Sequence, residues 1–133
     1  MRRANQKKVQ RGSEGLEESM HISARAHTIR LKPGAEDCRS VAILAKGLSD
    51  ENRLRILMCL SGQKKSVSKI VEEVGLSQPL VSHHLKELKR CLLVTIERNG
   101  PFIHYGLADY RILDVVQVLG SIAMDLVAAR KTL

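Results

Sequence analysis

Between residues 77 and 90 this 133-residue chain reads SQPLVSHHLKELKR. If that stretch is helical, each residue turns by about 100°, and Pro79, Ser82, His83, Lys86 and Arg90 share one arc with Gln78 and Lys89 at its edge. Amide, hydroxyl, imidazole and basic groups with a single carboxylate, Glu87, suit the major groove of duplex DNA. There Gln addresses adenine, Ser and His reach base edges or phosphates, and Lys or Arg neutralises phosphate. The opposite side gathers Val81, Leu88 and Leu92, flanked by His84 and Leu85, and must face protein. A corner of two helices with a solvated basic face would show the same period.

The elements that position this arc follow from the flanking residues. Val67, Ile70, Val71 and Val74 recur at helical spacing after Ser66, and Gly75 stops that helix. Ser77 then caps the next, whose first turn tolerates Pro79 because an early helical N–H needs no partner within the helix. Ser66 to Arg90 therefore reads as a helix-turn-helix. Downstream, LLVTIER and FIHYGL alternate apolar residues around Asn99-Gly100-Pro101, a hairpin signal. A reading helix followed by a hairpin is the winged helix-turn-helix order, with Arg98, Asn99 and Gly100 at the tip, placed against backbone or minor groove.

Composition narrows the partner. Apolar residues make up 44% but aromatic residues only 2%, with no Trp, so the core is aliphatic. Phe102, Tyr105 and Tyr110 are too few for a base-stacking RNA or single-strand binder. The formal charge is +8, of which residues 1–34 carry +5 through eight Lys/Arg and three Glu; basic balance favours a polyanion. Three cysteines without Cys-x-x-Cys spacing make no disulfide framework. The basic N-terminus lacks an apolar signal segment, and no continuous apolar run reaches the roughly 18 residues of a membrane span. A cytoplasmic, reduced protein without membrane partners is expected. No nucleophile-base pair, phosphate loop or metal-hydrolase spacing appears, so no enzyme activity and no cofactor are expected.

Residues 1–34 lack apolar periodicity and are expected to form a basic, flexible arm, with Met20 as a second candidate start; residues 35–133 form the domain. Val41, Leu44, Ala45 and Leu48 predict an amphipathic helix. Gly47 to Asp50 break it, Asp50 or Ser49 caps, and Leu54, Ile56, Leu57 and Leu60 build another helix ending at Ser61-Gly62. Asp109 to Ala129 predicts a last helix carrying Ile112, Val115, Val116, Leu119, Ile122, Ala123, Leu126 and Val127. Its apolar arc is too broad for one small domain to cover. A second copy is the simplest cover, which predicts a homodimer through Val41, Leu44, Val116, Leu119, Ile122, Ala123 and Leu126.

With those segments in hand, LAKGLSDENRLRILMCL, VSKIVEEVGLSQPLVSHHLKELKRCLLV and ERNGPFIHYGL resemble the ArsR/SmtB family of winged-helix repressors, from about Ser40 to the C-terminus. The resemblance implies a mainly α fold with a small β-hairpin, in the order α-α-α-α-β-β-α. It also implies a dimer paired through its first and last helices, and double-stranded operator DNA, an imperfect inverted repeat, left when an inducer binds. The family's metal sites are lost here. Ser66 and Ser68 stand at the Cys-x-Cys position of arsenic and soft-metal members, and hydroxyls do not replace thiolates for a soft ion. Zinc members carry Asp-x-His at the last helix; this chain has Asp109-Tyr110-Arg111, then Ile122 and Asp125. No metal is therefore expected.

What remains for a signal is thiol chemistry. Cys59 lies near a reactive Cys of sulfide-responsive relatives, without their partner on the last helix. Cys91 resembles one thiolate of a cadmium/lead branch, with Glu87 in place of its mate. Cys38 stands at the start of the first helix. Each also reads as an ordinary residue, Cys59 as a small buried hydrophobe. His83 and His84 belong to the reading helix and His104 to the wing, while His21 and His27 could join Cys38 on a metal. Two other functions stay open: a winged-helix interaction module without specific DNA binding, and a constitutive repressor with no inducer.

Overall fold

Hydrogen-bonded ends set the element boundaries. The computed structural model describes residues 34–131, so His21, His27, Met20 and the arm expected over 1–34, Gly34 apart, lie outside the described residues. The elements are α1 (Ala35–Gly47), α2 (Glu51–Cys59), β1 (Lys65–Ser66), α3 (Val67–Val74), α4 (Gln78–Arg90), β2 (Val94–Asn99), β3 (Phe102–Leu107) and α5 (Arg111–Arg130). Asp50 caps α2 by accepting the Arg53 N–H at 3.0 Å, a bond that holds its carboxyl below the usual range. The Arg53 guanidinium turns back to close α1, donating to the carbonyls of Gly47 at 2.8 Å and Lys46 at 3.0 Å. Ser66 caps α3 through the Lys69 N–H. Gly75, at φ 68°, ends α3, and Arg55 donates to the freed Val74 carbonyl at 2.5 Å.

Ser77 occupies the N-cap of α4 in extended conformation, but its hydroxyl makes no cap hydrogen bond. Pro79 is the cause in part, since it removes one of the two N–H groups a cap side chain addresses. At the other end Leu93 N–H donates to Leu88 O at 2.9 Å and Leu92 N–H to Lys89 O at 3.0 Å. This is a Schellman closure with Leu92 in the left-handed position, φ 62°, that glycine normally takes. The reading of Leu92 as part of the buried face is thus corrected: the helix stops at Arg90, the chain reverses, Leu92 is 66% exposed and Leu93 enters the core instead.

The sheet order is β1-β3-β2, antiparallel throughout. Asn99 pairs with Phe102, so the hairpin loop is Gly100-Pro101 rather than Asn99-Gly100. A glycine at φ 61° before a proline is the II′ combination, whose twist matches the strands. β1 has two residues and no alternation to read. The core is aliphatic, built from Ile56, Leu57, Leu60, Ile70, Val74, Val81, Leu85, Leu88, Leu93 and Val94 with Cys91, and Tyr105 packs beside it. The order of helices, hairpin and last helix is a winged helix-turn-helix, with β1 added.

No residue of α5 is buried. Leu119 is 50% exposed and Leu126 64%; Ile112, near the start, packs against the core. No continuous apolar run was expected to reach membrane-span length, and Asp114, Gln117, Ser121 and Asp125 do interrupt this helix. Over an 18-residue window, however, its mean hydropathy of 1.8, with its length, suffices to cross a bilayer.

The last residue of α1 meets the reading unit at very close range. A Cβ on Gly47 would fall 2.3 Å from Leu93 Cδ1 and 2.9 Å from Cys91 Cβ, whereas one on Gly62 would meet nothing within 4 Å. Gly47→Ala should therefore destabilise the domain by about 1–3 kcal/mol, as overpacking does, and Gly62→Ala should leave it within about 0.5 kcal/mol. Urea denaturation of the two variants beside the parent checks this.

Candidate nucleic-acid interface

Burial on one side of α4 exposes the other. Val81, His84, Leu85 and Leu88 are buried; Gln78, Pro79, Ser82, His83, Lys86, Lys89 and Arg90 are exposed, as is Ser77 ahead of them. The hairpin that follows after the three-residue turn Cys91–Leu93 exposes Arg98, Asn99 and Gly100 at its tip. On its outer face Lys64 pairs with Glu97, and the Lys64 stem lies over Gly106, where a Cβ would come within 2.8 Å of Lys64 Cγ. The arrangement is a convex ridge of donors and cations beside a second projection. A groove in duplex DNA accepts such a ridge.

Two features of α4 are not legible from residue types alone. Arg90 is held by Glu87, Nη1 to Oε1 at 2.7 Å, so one of its cations is already paired. His84 is buried with both ring nitrogens lacking a hydrogen-bond partner, and its Nδ1 stands 3.8 Å from Asp50 Oδ1, beyond hydrogen-bond reach. Spacing had placed His84 at the core boundary; it is inside. Arg53 and Arg55, which close α1 and α3, were also missed, and their spacing to Gly47 and Val74 gives no periodic signal.

The thiols occupy three different environments. Cys59 Sγ donates to Glu73 Oε2 at 3.1 Å, and Lys65 Nζ donates to Cys59 O at 2.6 Å and to Glu73 Oε2 at 2.5 Å. Burial and then Glu73 push the Cys59 thiol up, while Lys65 holds the Glu73 carboxyl below the usual range. Cys59 is half-buried, and lines a shallow groove with Leu54, Met58, Glu73 and Val74. Cys91 is 5% exposed beneath Gly47. Cys38 is exposed.

At the metal positions implied by the resemblance, the Ser66 hydroxyl is engaged as the α3 cap. The Arg111 guanidinium grips Asp109, Nε at 3.1 Å to both oxygens and Nη2 at 2.7 Å. Among the described residues no three of His, Cys, Asp and Glu converge. The surfaces named for pairing with a second copy stand open: Val41, Leu44, Leu119, Ile122, Ala123 and Leu126 are exposed and Val116 is half-buried.

Comparison with known proteins adds to this geometry. Residues 50–95 match the family model described as bacterial regulatory protein, arsR family. The chain is 34% identical over 84 residues, 63% of its own length and 67% of the other's, to a probable mercury resistance operon repressor of Streptomyces lividans. It is 33% identical over 93 residues, 70% and 69% of the two lengths, to the transcriptional repressor SmtB of Mycobacterium tuberculosis. In structure it is similar to a homodimeric winged helix-turn-helix DNA-binding domain of Mycobacterium bovis, with a TM-score of 0.62 and 24% identity over 75% of this chain and 93% of that one.

The Asp109–Arg111 pair makes a titration prediction. The Arg111 guanidinium, and after it the Arg111 backbone N–H, lowers the Asp109 carboxyl to about 2, so whatever the pair adds at the start of α5 is fully present above the ordinary value near 3.9 and is lost as pH falls through about 2. In Arg111→Ala the carboxyl should titrate higher than in the parent but still below about 3.9, because the backbone N–H of residue 111 goes on donating to it at 2.9 Å; carbon-detected NMR follows the midpoint. An Asp109 midpoint that stays near 2 in the variant would assign the shift to the backbone N–H rather than to the guanidinium.

Proposed function

The chain belongs to the ArsR/SmtB family of winged helix-turn-helix transcriptional repressors, and we propose that it binds double-stranded operator DNA as a homodimer. The observation that carries this reading is the two-sided α4, with its inner face fully in the core and its outer face polar, basic and exposed. Two copies related by a two-fold axis present two such helices, so the operator is an imperfect inverted repeat with half-sites about one helical turn apart or a multiple of it. Gln78, Ser82 and His83 address base edges. Ser77, Lys86 and Arg90 address phosphates, Pro79 sets the start of the helix against the backbone, and Arg98, Asn99 and Gly100 lay the wing tip beside the duplex. The second copy covers Val41 and Leu44 of α1 with Val116, Leu119, Ile122, Ala123 and Leu126 of α5. The task is binding rather than turnover, carried out in the cytoplasm.

Readers and anchors should separate in a binding assay. Ser82→Ala and His83→Ala should each narrow the preference for operator over random duplex, at about 1–3 kcal/mol per lost base contact. Lys86→Ala should weaken both duplexes alike and reduce the slope of log K against log salt by about 0.9, one phosphate's worth. Fluorescence anisotropy across a salt series measures both quantities. Equal losses on operator and random DNA for all three variants would contradict the assignment.

The signal that ends binding is assigned here to thiol chemistry, because the sulfurs sit where modification would disturb the reading unit. Cys91 ends α4 and touches the close approach of Gly47. Cys59 joins α2 to α3 through Glu73, and a soft metal ion bonding to its sulfur displaces the thiol proton and breaks that link. A thiol-directed metal or oxidant should lower operator affinity in the parent and not in Cys59→Ser, Cys91→Ser. Retained response in the double variant moves the sensor to Cys38 or the N-terminal segment. No response in either protein would make this a constitutive repressor.

A further inference from the structure

Glu87 is the one carboxylate on a helix whose outward residues are otherwise neutral or basic, and it stands at the seam between the buried face and the ridge. Its side chain is 22% exposed and that of Arg90, one turn on, 65%, with the two joined at 2.7 Å. A surface ion pair of this kind adds little to stability. Its effect on charge is larger, because a guanidinium already paired releases fewer counterions from DNA than a free one.

We propose that Glu87 is a positioning residue that withholds Arg90 from random phosphates and so raises the discrimination between operator and bulk DNA. The proposal rests on the DNA-binding reading above and goes beyond it by naming a residue that weakens binding. On an arbitrary duplex Arg90 must leave Glu87, or bring that carboxylate against the phosphate backbone; either way its contribution is lost. On the operator, where the base contacts of α4 fix the register, the same pair delivers Arg90 already oriented. Specificity is a difference of two affinities, and Glu87 acts on the lower one.

The test is a double-mutant cycle on the full chain with operator and random duplexes across a salt series. In Glu87→Gln, nearly isosteric, random-duplex binding should tighten on the order of five- to tenfold at 0.1 M salt and its slope should steepen by about 0.9. Operator binding should change less, so the ratio of the two affinities falls. With Arg90→Ala in place, adding Glu87→Gln should produce neither the tightening nor the steeper slope. A slope unmoved by Glu87→Gln, or a gain that persists without Arg90, overturns the proposal while leaving a DNA-binding parent intact. A parent that binds neither duplex overturns the reading beneath it as well. Thermal melts within a few degrees of the parent's separate these effects from folding.

Discussion

The packing of α4 onto α2 and α3 is the constraint from which the functional surface follows. With Val81, Leu85 and Leu88 fully buried, a rotation of the helix by one residue would drive Ser82 or Lys86 into an aliphatic core with no partner for its polar atoms, at a cost of several kcal/mol. The outward arc is therefore fixed by hydrophobic burial rather than by anything the arc itself does. The Schellman closure at Leu88 and Leu93 extends the same logic, because the C-terminal end of the reading helix is pinned by the residue that opens the wing. The end of the helix is thereby tied to the start of the wing.

Charge is distributed around that body with different consequences in each place. Arg53 and Arg55 are spent on helix C-termini, where a cation satisfies free carbonyls, and they hold the scaffold. Lys65 lies against Glu73 and the Cys59 carbonyl, tying β1 to α2 and α3. Lys86 has no carboxylate beside it among the described ion pairs, while Arg90 is tethered to Glu87. Net charge alone would have counted all of these as attraction for a polyanion.

Much of the winged helix was legible because its signals are local: Asp50 as a cap, Gly75 as a stop, Gly100 at a turn, and the helical period of Val81, Leu85 and Leu88; the cap read at Ser77 makes no hydrogen bond, and the one at Ser66 was missed. Failures came where a long-range contact or a chain reversal decides. Leu92 continued the periodic pattern but sits past the helix end, where only the backbone bonds to Leu88 and Lys89 show that the chain turns. The two-residue β1 exists through its pairing with Tyr105 and His104, which no window of sequence contains. At the interface, residue types identified the exposed arc, whereas the Glu87–Arg90 pair, the His84 ring nitrogens without hydrogen bonds and the hydrogen-bonded proton of Cys59 depend on side-chain positions.

What the domain leaves uncovered is α5, a helix about 30 Å long by its twenty residues, apolar over most of its circumference and nowhere buried. Its length and hydropathy also satisfy a membrane span, yet the stripe of Asp114, Gln117, Ser121 and Asp125 leaves one polar side, the pattern of a helix packed against protein with that side in water. In the dimer proposed above, a second copy covers the apolar surface of α1 and α5 at once and sets two reading helices at a fixed spacing. Sedimentation equilibrium of the full chain from low to high micromolar concentration tests this most directly. The account predicts twice the chain mass throughout, shifted to the single-chain mass or to unfolding when Leu119 is replaced by Asp. A parent that sediments as a stable, folded single chain over the whole range would contradict it.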